Sequence, residues 1–151
     1  MTAVRKAQEA SDDPLEQLRG MLIYHVLLTK EKRNRVKVYV EEQHNLSKRL
    51  LNVIYKQHRE IYDCYAEQLR KLHRVCGNSI EPVSVTTFAI FGMLNWSYRW
   101  FKEDGKLTIQ EVAERLADIL FYGMLGKDRG LTSSRKNQPS RQGRNRRKGN
   151  R

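Results

Sequence analysis

Two histidines stand where an amphipathic helix ordinarily carries aliphatic side chains. His25 falls in the stripe Leu15, Leu18, Leu22, Val26 and Thr29, and His58 in the stripe Leu50, Leu51, Ile54, Ile61, Tyr62, Tyr65, Leu69 and Leu72. Each is either a core histidine held by one or two hydrogen bonds or a polar contact inside a small-molecule cavity. Helical spacing brings Tyr55, Tyr62 and Tyr65 near His58. Asn95 and Arg99, four residues apart, set an amide and a guanidinium on one edge of a segment that also holds Phe88 and Trp96. Apolar walls with a few convergent polar groups are what a non-covalent ligand pocket requires. These nine residues are therefore the pocket candidates, against the plainer reading of an aromatic core. Trp96 and Trp100 could stack nucleobases, but their apolar surroundings favour packing.

Other chemistry finds little support. There is no nucleophile elbow, phosphate-binding glycine loop or HExxH pattern, so no catalytic residue is expected. His73-x-x-Cys76 offers two ligands at a helix end with no second pair, so neither a metal nor a cofactor is expected.

The elements that must position these side chains are helices. Residues 86–125 read as a hairpin: an aromatic helix from roughly Pro82 to Phe101, a polar turn, and a closing helix. The aromatic helix has no wholly polar side, so it needs cover on more than one face, and a second subunit is the natural cover for one of them. The closing helix starts with a capping box, Thr108-Ile109-Gln110-Glu111. Val112, Leu116, Ile119 and Gly123 then recur at helical spacing, widened by Ala113, Ala117, Leu120 and Met124. Upstream, Asp12-Asp13-Pro14 opens a helix reaching about Lys30, and residues 33–43 form a shorter one. The basic side of that shorter helix (Arg33, Arg35, Lys37) is expected to be simply solvated. Ser47 caps the longest helix, which ends near Val75 with Gly77 or Asn78 as its left-handed C-cap. Residues 1–11 are compatible with helix but have little to bury beyond Val4, Ala7 and Ala10.

The pattern Gly92-Met93-x-Asn95-Trp96-x-Tyr98-x-Trp100-Phe101, with Gly105, Leu107-Thr108, Glu111, Ala113 and Gly123-Met124, resembles the last two helices of TetR-type transcriptional regulators. The nearest branch is that of fatty-acid, acyl-CoA and steroid-ring catabolism. The resemblance implies an all-α bundle of about five helices whose last two pair with their twins in a dimeric four-helix interface. It places Phe91, Leu94, Tyr98, Ala113, Leu116, Ala117, Leu120 and Met124 in that interface. It also implies an apolar effector, acyl or acyl-CoA-like. Residues 12–126 would be the sensor and dimerisation domain, and residues 1–11 the end of a connecting helix. In that family about 45–50 residues of helix-turn-helix domain come first. The sequence thus reads as a regulator without its reading head, forming homodimers or pairing with a full-length relative.

Charge is concentrated at the other end. Net charge is +12, but residues 127–151 hold ten Lys/Arg against one Asp. That tail has a single large apolar residue, Leu131, and is expected to be disordered. Arg141, Arg144, Arg146, Arg147 and Lys148 could grip phosphates without sequence preference. The rival reading is therefore a small basic nucleic-acid-binding protein acting through its tail. Cys64 and Cys76, with no secretory signal, suggest reduced thiols in a cytoplasm. No apolar run approaches the roughly 20 residues that span a bilayer, so no membrane partner is expected.

Overall fold

A computed structural model of the chain describes residues 3–76, 80 and 82–125. All of its regular structure there is helical: α1 (Ala3–Gln8), α2 (Pro14–Glu31), α3 (Arg33–Glu42), a 3₁₀ turn (Gln43–Asn45), α4 (Lys48–Cys76), α5 (Val83–Asn95), α6 (Ser97–Trp100) and α7 (Ile109–Leu125). The expected C-cap residues Gly77 and Asn78 lie outside the described residues, as does the whole basic tail with Arg141, Arg144, Arg146, Arg147 and Lys148.

Local chemistry sets the boundaries. Asp13 is extended at the start of α2 (φ −77°, ψ 119°), and its carboxylate accepts from Leu15 N at 3.0 Å. Proline follows at the first helical position, where its missing N–H costs nothing. Ser47 Oγ accepts from Leu50 N at 3.3 Å, satisfying an orphan donor of α4. At α7 the capping box closes in both directions: Glu111 N donates to Thr108 Oγ1 at 3.2 Å, and Thr108 N to the Glu111 carboxylate at 2.8 Å.

The expected helix from Pro82 to Phe101 is interrupted. Ser97 is buried, and its hydroxyl donates to the Leu94 carbonyl at 2.6 Å, competing with the regular backbone ladder. The helix breaks at Trp96 and resumes for one turn as α6.

α2 runs through the middle, with α7, α1, α4 and α5 packed around it. Leu18, Met21, Leu22 and Val26 of α2 meet Tyr65, Leu69 and Leu72 of α4, Ile90 and Leu94 of α5, and Ala113 and Ala117 of α7. Full burial contributes roughly 1.5–3 kcal/mol per large apolar side chain, so this cluster sets the fold. The N-terminal segment packs into this core. Val4 is 1% exposed, and buried Gln8 donates to Gln68 Oε1 at 2.9 Å, while Gln68 donates to the Pro14 carbonyl at 2.7 Å. A polar pair in a core is tolerable only when it is bonded in this way.

α3 is different. None of its side chains is buried. It is held by Glu41, which pairs with Arg99 of α6 at 2.6 Å, and by Tyr39, whose ring meets His58 edge-on at 4.6 Å. Among the described residues no helix is long and apolar enough to cross a membrane.

Candidate ligand cavity and exposed helix faces

The thin cover that α3 gives to α2 and α4 leaves a cavity of about 750 Å³ between them, reaching Phe91 and Asn95 of α5. Its wall surface is mostly apolar, with Leu28, Val36, Val53, Ile54 and Ile61 contributing to it. That volume lies within the range of small-molecule sites.

His25 is the polar group built most firmly into it. Tyr65 donates its hydroxyl to the Met21 carbonyl at 2.9 Å, and the same oxygen lies 3.2 Å from His25 Nδ1. The other ring nitrogen meets the Asn95 side-chain amide at 2.9 Å. The atom on that side is Asn95 Oδ1, an acceptor, so a neutral ring donates to it from Nε2 and turns its unprotonated Nδ1 toward the Tyr65 hydroxyl. Two donating ring nitrogens would require imidazolium, and burial opposes it. Desolvation lowers the His25 pKa to about 4, against a smaller upward pull from Asn95 and a further lowering by His58. His58, also on the cavity wall, is held below the usual histidine range by burial. His25 is thus a neutral, oriented ring in the cavity wall, its two nitrogens taken by Tyr65 and Asn95, and it does not titrate near pH 7.

The nine pocket candidates divide. His25, His58 and Asn95 line the cavity, and Tyr65 stands behind His25, fully buried. Tyr62 lies outside the lining, between Phe88 and Phe91, with the Arg59 guanidinium 5.5 Å from its ring. Tyr55, Phe88 and Trp96 point to solvent instead, and Arg99 sits outside, over the Trp96 ring and paired with Glu41. The expected packing of Trp96 and Trp100 is therefore incomplete, since both stay about half exposed.

The interface candidates divide in the opposite sense. Leu94, Tyr98, Ala113, Ala117, Leu120 and Met124 are buried inside the chain, so they are not surface for a partner. The small-residue stripe of α7 packs on α2, because the side that fits most closely is the one its own core takes. Leu116 is half-buried, and Phe91 lines the cavity, 5.7 Å from the His25 ring.

What remains uncovered is apolar. On α5 and α6, Val85, Phe88 (65% exposed), Trp96 (53%) and Trp100 follow one another at helical spacing; on α7, Ile119 (57%) and Tyr122 (69%) do the same. A Cβ added at Gly92 or Gly123, on the same faces, would meet nothing within 4 Å.

Sequence reasoning missed the α3 contribution, including Val36, Tyr39 and Arg35. Val36, Tyr39 and Val40 share one side of that helix, a signal of an apolar face. Arg35, expected to be simply solvated, is exposed but stands on the cavity edge. Cys64 is buried.

A family model described as tetracyclin repressor-like, C-terminal domain, matches residues 11–124. No curated protein matches the chain. Among solved structures, a TetR-family transcriptional regulator from Bordetella parapertussis 12822 is similar, with a TM-score of 0.68 and 23% identity. The alignment covers 81% of this chain and 64% of that one, so this chain spans less than two thirds of its length. At that identity the likeness is one of fold. The family model takes in most of the 151 residues, and on that ground the chain belongs to the tetracyclin repressor-like, C-terminal domain family.

Proposed function

We propose that the chain is the effector-sensing and dimerisation part of a transcriptional regulator, not an enzyme. An apolar, acyl-type small molecule occupies the cavity between α2, α3 and α4. A second copy of the chain covers the exposed faces of α5–α6 and α7. Sequence-specific DNA contact then belongs to a helix-turn-helix unit, reached on the same polypeptide or through pairing with a full-length relative. Such an arrangement regulates only if the effector binds one conformation better than another.

The cavity carries this reading. A concave site of about 750 Å³ with mostly apolar walls, and with the neutral His25–Asn95 pair at one side, is what an apolar small molecule needs. The test uses decanol as an uncharged apolar probe. At a hundredfold excess over its Kd, a ligand specific to the native state adds about 2.7 kcal/mol, which raises Tm by several degrees in a domain of this size. Ile54 lies on the wall and is half-buried, so Ile54→Trp fills space without displacing the main core. Wild type should show the rise and Ile54→Trp should not. The same rise in both proteins would place the binding elsewhere and remove the sensor reading.

A further inference from the structure

The charges around the cavity have one sign. Lys32 and Arg35 line it, and no aspartate or glutamate does. At its α2–α3 end it shares Lys32, Asn34 and Arg35 with a second recess of about 450 Å³, completed by Lys30, Glu31, Arg33 and Glu103. Every residue of that recess is polar or charged. Four cations stand there against two carboxylates, and Glu103 is already engaged by Lys30 at 3.0 Å. Lys32, Arg33 and Arg35 have no ion-pair partner among the described residues. Singly, exposed cations of this kind mean little, since most are solvated surface. These stand where the largely apolar cavity and the polar recess share their lining.

We propose that the ligand is an anionic amphiphile, its apolar chain lying along Val36, Ile54 and Ile61 and its oxyanion headgroup held by Lys32 and Arg35, facing the second recess. The proposal rests on the sensor reading above and adds the ligand's charge and direction to it. The opposite orientation would bring an anion to His25 and Asn95, where the ring is neutral and desolvation is severe. Arg35 can meet an oxyanion with two parallel N–H groups, and Lys32 adds a point charge. The recess holds more than a carboxylate, so a phosphate ester is also accommodated.

Calorimetric titration of the full chain with decanol, decanoate and decyl phosphate tests this. Both anions should bind at least about tenfold more tightly than decanol at low salt, and their ranking tells a carboxylate headgroup from a phosphate one. Lys32→Gln with Arg35→Gln, both at exposed positions, should bring the anions to within about threefold of decanol and leave decanol unchanged. The basic tail is identical in the two proteins, so non-specific anion capture there cannot produce that difference. Anions no better than decanol in wild type, or a preference that survives the double substitution, would overturn the proposal. If decanol still binds and Ile54→Trp still blocks it, only the headgroup assignment falls. Binding of decanol and decyl phosphate that survives Ile54→Trp would overturn the cavity reading and this one together.

Discussion

Protonating His25 puts a charge inside a shell that offers it little solvent, a cost that the hydrogen bond to Asn95 offsets only in part. Its pKa of about 4 in the folded chain compares with about 6.5 when unfolded. Between those values the unfolded chain binds the extra proton, so stability rises with pH. The contribution is complete above about pH 6.5 and is lost as pH falls through 4; a gap of this size corresponds to about 3 kcal/mol. His58 is also lowered by burial and adds to the same trend, so the comparison that isolates His25 is with His25→Gln. Urea unfolding from pH 4.5 to 7 should give a shallower rise for the variant, with about 1–3 kcal/mol lost at pH 7 from the buried partners left unsatisfied. Parallel curves would show that the ring is solvated after all. The sequence put His25, Tyr65 and Asn95 in one candidate group but could not pair them. They lie on three helices, 40 and 70 residues apart, and only the bundle's topology joins them. Tyr55, Phe88, Trp96 and Arg99 were grouped with them because a helical wheel gives angles around one axis. It does not say which angle faces a cavity.

Of the elements, α3 is held in the least costly way. With no buried side chain, it relies on the Glu41–Arg99 pair, the Tyr39–His58 ring contact and its own backbone ladder. Segments with few buried contacts open at low free energy, whatever the stability of the whole. Amide exchange across Arg33–Glu42 should therefore be fast compared with α2, and a ligand in the cavity should slow it. Arg99→Ala should speed exchange in α3 while moving global stability by less than about 1 kcal/mol, since an exposed ion pair is worth little. Equal protection of α2 and α3 in the unliganded chain would mean that α3 is part of the core. Helix starts were legible because caps are local: Asp13, Ser47 and the Thr108–Glu111 box each act within three residues. The break at Trp96 was not. It depends on the buried Ser97 hydroxyl turning to the Leu94 carbonyl, a choice that packing makes and periodicity does not record.

For the molecule as a whole, the decisive quantity is the apolar surface that one chain leaves open. The need for a partner could be read from a helix apolar nearly all round, but not which side the partner takes. Both sides of α7 carry large apolar residues, and its Ala113–Ala117 side lets α2 approach more closely than Ile119 and Tyr122 would. What is left, Val85 and Phe88 on α5, Trp96 at its end, and Ile119 and Tyr122 on α7, is apolar surface of the kind that marks an interaction site when it is contiguous. The open space over Gly92 and Gly123 would let a facing helix come near the backbone. Sedimentation of wild type should give twice the 17.8 kDa chain mass. Because both residues are exposed, Ile119→Glu with Tyr122→Glu should give folded monomers with unchanged helical content. The same charges placed at Ala113 and Ala117 should instead unfold the chain, since those positions face α2 and a buried carboxylate there has no counter-ion. If the exposed pair unfolds the chain and the buried pair merely splits a dimer, then the two sides of α7 are exchanged and the partner sits where α2 is placed here.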